Sequence, residues 1–316
     1  MSDKTRLAPS PTGALHLGNA RTFLVNWLLA RRMGWRVLLR IEDIDGPRIK
    51  RGADRQLIED LSWLGLDWAE GPIYQSDRFP IYQRSLDRLI ESGAAYPCVC
   101  SRKEVESAAS APHAEDGAAV YPGTCRGKYG SIEAARQQTG RSPAIRFRVP
   151  ADPIEFDDCF AGRQRFDPLR QLGDFVVAKA DGTPAYQLAV VVDDAEMNVT
   201  QVVRGVDLLD STPRQILLYR ALGFSQAIPS HCHLPLVVGI DGRRLAKRHG
   251  DTRLSKYREQ GAKPERVLAL LARWCGIEAD TTSVHIADLL QSFRLENLPR
   301  QRIIFTPEDD AWLLGL

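Results

Sequence analysis

The order of elements in this 316-residue chain predicts an α/β fold built on a parallel sheet and interrupted by a long insertion. Three observations carry that reading. From residue 4 the pattern runs strand, helix, strand, helix, an alternation that produces parallel strands joined by crossover helices. The same order returns over residues 185–239. Between the two stretches, residues 96 to about 184 differ in texture, with close-set cysteines, a loop of small residues and β-type runs. The expected organisation is a Rossmann-type domain in two halves, 1–95 and 185–240, an insertion over 96–184, and a final stretch, 241–316, with a basic loop and a small helical segment.

The first strand is "KTRLAPS". A helix follows because Leu17, Ala20, Phe23, Leu24, Trp27 and Leu28 recur at helical spacing, Arg31 and Arg32 fill the last turn, and Gly34 stands where a C-terminal cap belongs. "WRVLLRIED" is a short β-rich run ending in acids, and "RQLIEDLSWLGL" returns to helical period through Leu57, Ile58, Leu61 and Leu64. Inside the insertion, "AIRFRVP" and "DFVVAKADG" are β-type. In the second half "AYQLAVVVDD" and "VTQVVRG" read as strands, "STPRQILLYRALGF" opens with a helix-start signal, and "HLPLVVG" reads as a strand. "PERVLALLARWCG" and "IADLLQSF" are the clear helices of the final stretch.

Composition narrows the classes. With 44% hydrophobic and 26% charged residues, the chain is neither disordered nor collagen-like. Its first residues lack an apolar targeting core, and runs such as "FLVNWLLA" are far shorter than the roughly 20 residues that cross a bilayer, so a cytoplasmic protein without membrane contact is expected. Six cysteines do not suggest a disulfide scaffold, and Cys98 and Cys100 are too close to pair comfortably. The net charge of +2 announces no nucleic-acid binder, although residues 1–50 hold nine Lys or Arg against four acids.

The stretch "RLAPSPTGALHLGNAR", residues 6–21, joins the first strand to the first helix. Its backbone therefore lies at the carboxyl edge of a parallel sheet, where such folds bind ligands. A helix N-terminus there offers unbonded N–H groups and a positive dipole end, which suits a phosphate. Gly13 and Gly18 permit close approach, Pro9 and Pro11 stiffen the loop, and His16 and Asn19 place side-chain donors on the first turn. It is neither a Walker loop nor a Gly-x-Gly-x-x-Gly fingerprint.

"PSPTGALHLGNAR" resembles the first signature of class I aminoacyl-tRNA synthetases in their glutamyl/glutaminyl form, with His16-Leu17-Gly18-Asn19 in place of the His-Ile-Gly-His tetrapeptide. "RLAKRHGD", Arg244 to Asp251, resembles the second signature, a lysine loop after the last sheet strand. Arg244 stands for the first lysine and Ala246 for the serine of Lys-x-Ser-Lys, so Lys247 is the residue carried over. The resemblance runs from about residue 4 to residue 260; the residues beyond are too few for the family's anticodon-reading domain.

That resemblance, in its short form, implies an enzyme that activates L-glutamate with ATP without needing tRNA, then esterifies it to queuosine at the wobble position of tRNA(Asp). Magnesium on the ATP phosphates and a monomeric state are expected with it. It implies His16, Asn19 and Lys247 as catalytic residues, with Gly18 and Arg244 completing the ATP site. It assigns Glu42 to the substrate ammonium and Arg6 and Arg204 to its carboxylates, with Ala8, Ser10 and Tyr186 lining the pocket. Where full glutamyl enzymes commonly carry Asn four residues after that tyrosine, this chain has Val190. A truncated enzyme charging the 3′ end of tRNA(Glu), and a non-catalytic RNA-binding module that kept the fold, are the competing readings.

Cys98, Cys100 and Cys125 offer three soft ligands, and tetrahedral zinc needs a fourth. Ligand chemistry nominates His113 in the intervening loop; the resemblance nominates Tyr121 through "YPGTC". Three buried thiols without metal are the plain alternative. Cys159, Cys232 and Cys275 read as core, the tryptophans at 27, 35, 63, 68 and 274 as core or inter-element packing rather than base stacking, and His231 and His233 as residues preceding a strand that pack or face solvent.

Overall fold

A computed structural model of the chain describes residues 2–44, 46–108, 120–243, 245, 251–277 and 282–315. It divides into two compact units, one of Met1–Gln75, Val199–Leu208 and His231–Leu316, the other of Ser76–Asn198 and Leu209–Ser230.

The first unit begins with β1 (Lys4–Leu7), α1 (Leu17–Met33), β2 (Arg36–Ile41), α2 (Ala53–Trp63) and β3 (Glu70–Tyr74). β1 pairs in parallel with β2, Arg6 opposite Leu38, and β2 pairs in parallel with β3. On its other side β1 pairs in parallel with the Gln201–Gly205 strand, Thr5 opposite Gln201, and Ser230–Leu234 follows as the next strand. The chain thus winds outward through β2 and β3, then returns to the far side of β1. Open α/β sheets bind ligands at such a switch point, outside the carboxyl ends of the strands.

α1 is buried more completely than an amphipathic stripe requires: Leu24 through Ala30 are all enclosed, and so are Arg21 and Asn26. Each of the two polar residues is hydrogen-bonded where it is buried. Asn26 accepts from Thr5 Oγ1 at 2.8 Å and donates to the Arg6 carbonyl at 2.9 Å, which fixes the β1 backbone. Arg21 donates to the carbonyls of Trp274 and Pro235 at 3.1 and 2.9 Å, tying α1 to the last third of the chain. Gly34 closes the helix at φ 68°, a left-handed angle at which a side chain is strained.

The final stretch is helical as expected, through Leu254–Glu259, Pro264–Arg273, Ile286–Ser292 and Pro307–Leu314. Within it Ile303–Ile304 forms a short strand that pairs in parallel with Val237–Val238, just before the stretch begins. Among the described residues no helix is long and apolar enough to cross a membrane.

The second unit carries a three-stranded antiparallel sheet, Ala95–Cys98, Ala144–Phe147 and Phe175–Ala178, and an antiparallel hairpin, Ile154–Asp158 with Gly162–Phe166. Its helices Phe79–Glu91, Tyr186–Glu196 and Ser211–Ala221 include one that corrects the sequence reading, since "AYQLAVVVDD" is not a strand. An unbroken apolar run has no alternation to separate a buried strand from a buried helix, and Leu188 through Asp194 are buried on every side. Asp193 is part of the reason: it accepts from Tyr82 Oη at 2.8 Å and from Arg78 Nε at 2.7 Å within this unit. Cys232 and Cys275 are buried as expected, whereas Cys159 is exposed at the hairpin tip rather than in the core.

Candidate functional site

The Pro9–Asn19 segment leaves β1, crosses the sheet edge and enters α1. Its backbone is pinned on both sides: Glu42 N–H donates to the Pro9 carbonyl and Lys50 N–H to that of Pro11, each at 3.0 Å. His16 is the N-cap of α1, with Nδ1 accepting from Asn19 N–H at 3.3 Å. A ring nitrogen that accepts carries no proton, so the neutral imidazole bears its hydrogen on Nε2 and presents a donor. Leu17 N–H is taken by the Thr252 carbonyl at 3.0 Å, and Gly18 N–H, in the first turn, has no partner among the described residues. One backbone donor at the positive end of a 17-residue helix therefore stands beside one imidazole donor.

The same turn is bound to the chain just beyond the lysine loop. His16 and Arg253 form an antiparallel bridge, and Leu254 N–H donates to the Leu15 carbonyl at 2.8 Å. The loop's exit is thereby fixed at the phosphate-type turn. Arg244, Ala246, Lys247 and His249 themselves lie outside the described residues, as does His113. Gly18 is confined from one side: a Cβ there would meet His16 Cε1 and Nδ1 at 3.3 Å. Gly18→Ala should push the imidazole aside by a few tenths of an ångström, and we expect the KM for ATP to rise about tenfold with the KM for glutamate unchanged, as steady-state exchange assays will read.

Arg6, Glu42 and Arg204 all stand at carboxyl ends of strands in the first unit: Arg6 near the end of β1, Glu42 one residue past β2, and Arg204 near the end of its strand. By the Thr5–Gln201 register, Arg204 comes level with Ala8. Both arginines are buried, 4% and 5% exposed, so their charges sit where solvent screens them little. Arg6 Nη1 donates to the Val203 carbonyl at 3.5 Å. Arg204 Nε donates to His233 Nε2 at 2.9 Å. Glu42 Oε1 is 3.0 Å from Nη2 of the fully buried Arg40, which orients the carboxylate. Ser10 Oγ is enclosed without a hydrogen-bond partner among the described residues, a cost of about 1–3 kcal/mol unless a ligand supplies one. Tyr186 belongs to the second unit, where it opens its helix, half-buried; Val190 lies one turn on, fully enclosed.

Two residues there pack, one of the alternatives expected of them, but differ from the sequence reading in position. His231 and His233 do not precede a strand but lie within Ser230–Leu234, buried, with rings 6.0 Å apart and nearly parallel at 8°. The His-x-His spacing within a β-type run was the available signal, because alternate strand residues share a face.

In the second unit, the sulfurs of Cys98, Cys100 and Cys125 lie within 4.8 Å of one another. Tyr121 Oη joins them, 3.3 Å from Cys98 Sγ and 3.6 Å from Cys100 Sγ, and accepts from Cys125 N–H at 2.8 Å. Tetrahedral zinc with bonds near 2.3 Å separates its sulfurs by about 3.8 Å. The Cys100–Cys125 separation of 3.5 Å suits that cage. Burial raises the Cys100 thiol to about 11, and burial with three thiol neighbours holds the Tyr121 phenol well above its usual range. A metal entering this cage therefore displaces protons. Arg146 lies over the Tyr121 ring, 3.9 Å from its centroid, and donates to Cys98 Sγ at 3.3 Å.

Comparison with known proteins shows the family of the chain. Residues 3–309 match the tRNA synthetases class I (E and Q) catalytic domain. A glutamyl-Q tRNA(Asp) synthetase from Symbiobacterium thermophilum is 50% identical over 98% of each chain. A glutamate–tRNA ligase from Geobacter sulfurreducens is 42% identical over 99% of this chain but only 66% of its own. The crystal structure of a glutamate tRNA ligase from Elizabethkingia meningosepticum in complex with its amino acid superposes with a TM-score of 0.82, at 29% identity, over 99% of this chain and 69% of that one. The chain belongs to the class I tRNA synthetases of the glutamate and glutamine branch.

Proposed function

We propose that this chain is a ligase that activates L-glutamate with ATP in the absence of tRNA and transfers it to queuosine at the wobble position of tRNA(Asp). The observation that carries the reading is 50% identity along 98% of both chains with a glutamyl-Q tRNA(Asp) synthetase. In the first step an oxygen of the glutamate α-carboxylate attacks the α-phosphorus of ATP and pyrophosphate leaves. The carboxylate is already ionised at neutral pH, so no general base is needed. Catalysis then consists of positioning and of offsetting phosphate charge. His16 Nε2–H, Gly18 N–H and Asn19 supply donors, and Lys247 and Arg244 supply cations; magnesium, when bound with ATP, would add further positive charge against the phosphates. In the second step a queuosine hydroxyl attacks the acyl carbon, and AMP leaves.

Glu42 receives the substrate ammonium, Arg6 and Arg204 its two carboxylates, and Ala8 and Ser10 complete the part of the pocket that the first unit carries. Arginines aimed at a second carboxylate discriminate against glutamine, whose neutral amide cannot form the charged pair. Glutamate-dependent ATP–pyrophosphate exchange without RNA tests the reading. Exchange with glutamate and none with glutamine or aspartate is expected. Exchange that waits for tRNA favours a glutamate–tRNA ligase, and none under either condition favours a binding module.

In the second unit Cys98, Cys100, Cys125 and Tyr121 would hold zinc, whose contribution there is to fix the fold of the insertion. About one zinc per chain is expected by elemental analysis of the purified protein. Tyr121→Phe should weaken retention against a chelator about tenfold or more, whereas His113→Ala should leave it unchanged.

A further inference from the structure

We propose that His233 is a positioning residue that orients Arg204 for a substrate carboxylate without cancelling its charge, an inference that rests on Arg204 belonging to the glutamate pocket. The two side chains are 29 residues apart in sequence and meet on neighbouring strands, both buried, with Arg204 Nε donating to His233 Nε2 at 2.9 Å. A guanidinium has donors and no acceptor, so Nε2 must be the acceptor and the ring is neutral with its proton on Nδ1. His231, two residues back and so on the same strand face, lies nearly parallel at 6.0 Å and restrains the ring plane.

The kind of acceptor decides what Arg204 can do next. A carboxylate in this place would hold the guanidinium as firmly, but in a buried site it would offset much of the charge meant for substrate. Arg40, in the same sheet, has that arrangement with Glu42 at 3.0 Å. His233 fixes the Nε edge and adds no negative charge. The Nε edge of Arg204 is thus held by a neutral residue.

Kinetics of RNA-free exchange on the intact chain test this, with KM measured separately for glutamate and ATP. His233→Leu should raise the KM for glutamate about tenfold, the loss of one hydrogen bond to a charged group, with the KM for ATP changed less than about twofold. His233→Gln, which keeps an uncharged acceptor, should recover most of that loss. His233→Glu, which keeps an acceptor but adds charge, should be worse than leucine. A packing role does not produce that order. Unchanged glutamate KM in the leucine variant, glutamine no better than leucine, or equal rises for ATP and glutamate would each overturn the proposal. Arg204→Ala separates the two levels: if it leaves the glutamate KM unaltered, the pocket assignment fails and the positioning role with it. If it raises the KM while the His233 variants are silent, only the positioning role fails.

Discussion

His16→Ala is expected to lower glutamate-dependent ATP–pyrophosphate exchange by about two to three orders of magnitude, the loss typical of removing one preorganised donor to a developing phosphate charge. Two things disappear together in that variant. The Nε2–H donor goes, and so does the Nδ1 acceptor that caps Asn19 N–H at 3.3 Å. Loss of an N-cap costs about 1 kcal/mol of stability, too little to unfold an ordinary domain. His16→Asn separates the effects, because asparagine caps helices well but does not place a donor where the imidazole reaches. Stability should return in the asparagine variant while exchange stays low. Equal recovery of both would mean that His16 acts only on the helix.

Asp174→Ala should be the most destabilising single change in the second unit, by about 3–5 kcal/mol in urea unfolding at neutral pH. The Asp174 carboxylate is buried and accepts from Arg126, from Tyr96 Oη and from Val149 N–H at 2.9 Å. Its backbone carbonyl accepts from Arg146 at 2.8 Å, the arginine that lies over Tyr121 and reaches Cys98. Removing the carboxylate leaves a phenol and an amide without this acceptor beside the cysteine cage, and leaves the Arg126 guanidinium, which keeps its bond to the Val149 carbonyl at 3.0 Å, without its counter-charge. Burial pushes the Asp174 pKa up, but the bonds from Arg126 and Tyr96 outweigh it and hold the group below its usual range. The sign follows: a depressed carboxylate stabilises the fold above its unfolded pKa, near 4, and that contribution fades as pH falls toward the lower folded value. The gap between wild type and Asp174→Ala should therefore narrow below about pH 4, and a gap that widens on acidification would contradict the assigned charge.

How much of this was legible in the sequence depended on the range of the interaction. The strand–turn–helix at residues 4–33 is local: the helical spacing and the Gly34 cap are written in adjacent residues, and the fold follows them, while the role of His16 Nδ1 as acceptor at the N-cap is seen only in the structure. Arg6, Glu42 and Arg204 at strand ends were readable for the same reason. The helix at Tyr186–Glu196 was not, because its valine-rich run gains helical form from burial on every side, which single-sequence periodicity does not report. Nor was the bond between Arg204 and His233, which depends on two strands becoming neighbours. Cys159 shows the converse, a residue type usually buried that a hairpin turn places in solvent.

The most direct test of the proposed function is transfer of labelled glutamate, with ATP, to tRNA(Asp) bearing queuosine, to tRNA(Asp) lacking it, and to tRNA(Glu). Label should enter only queuosine-bearing tRNA(Asp) and should persist after the 3′-terminal nucleotides are trimmed away. Label that enters tRNA(Glu) and is lost with its 3′ end would contradict the assignment and make the chain a glutamate–tRNA ligase instead.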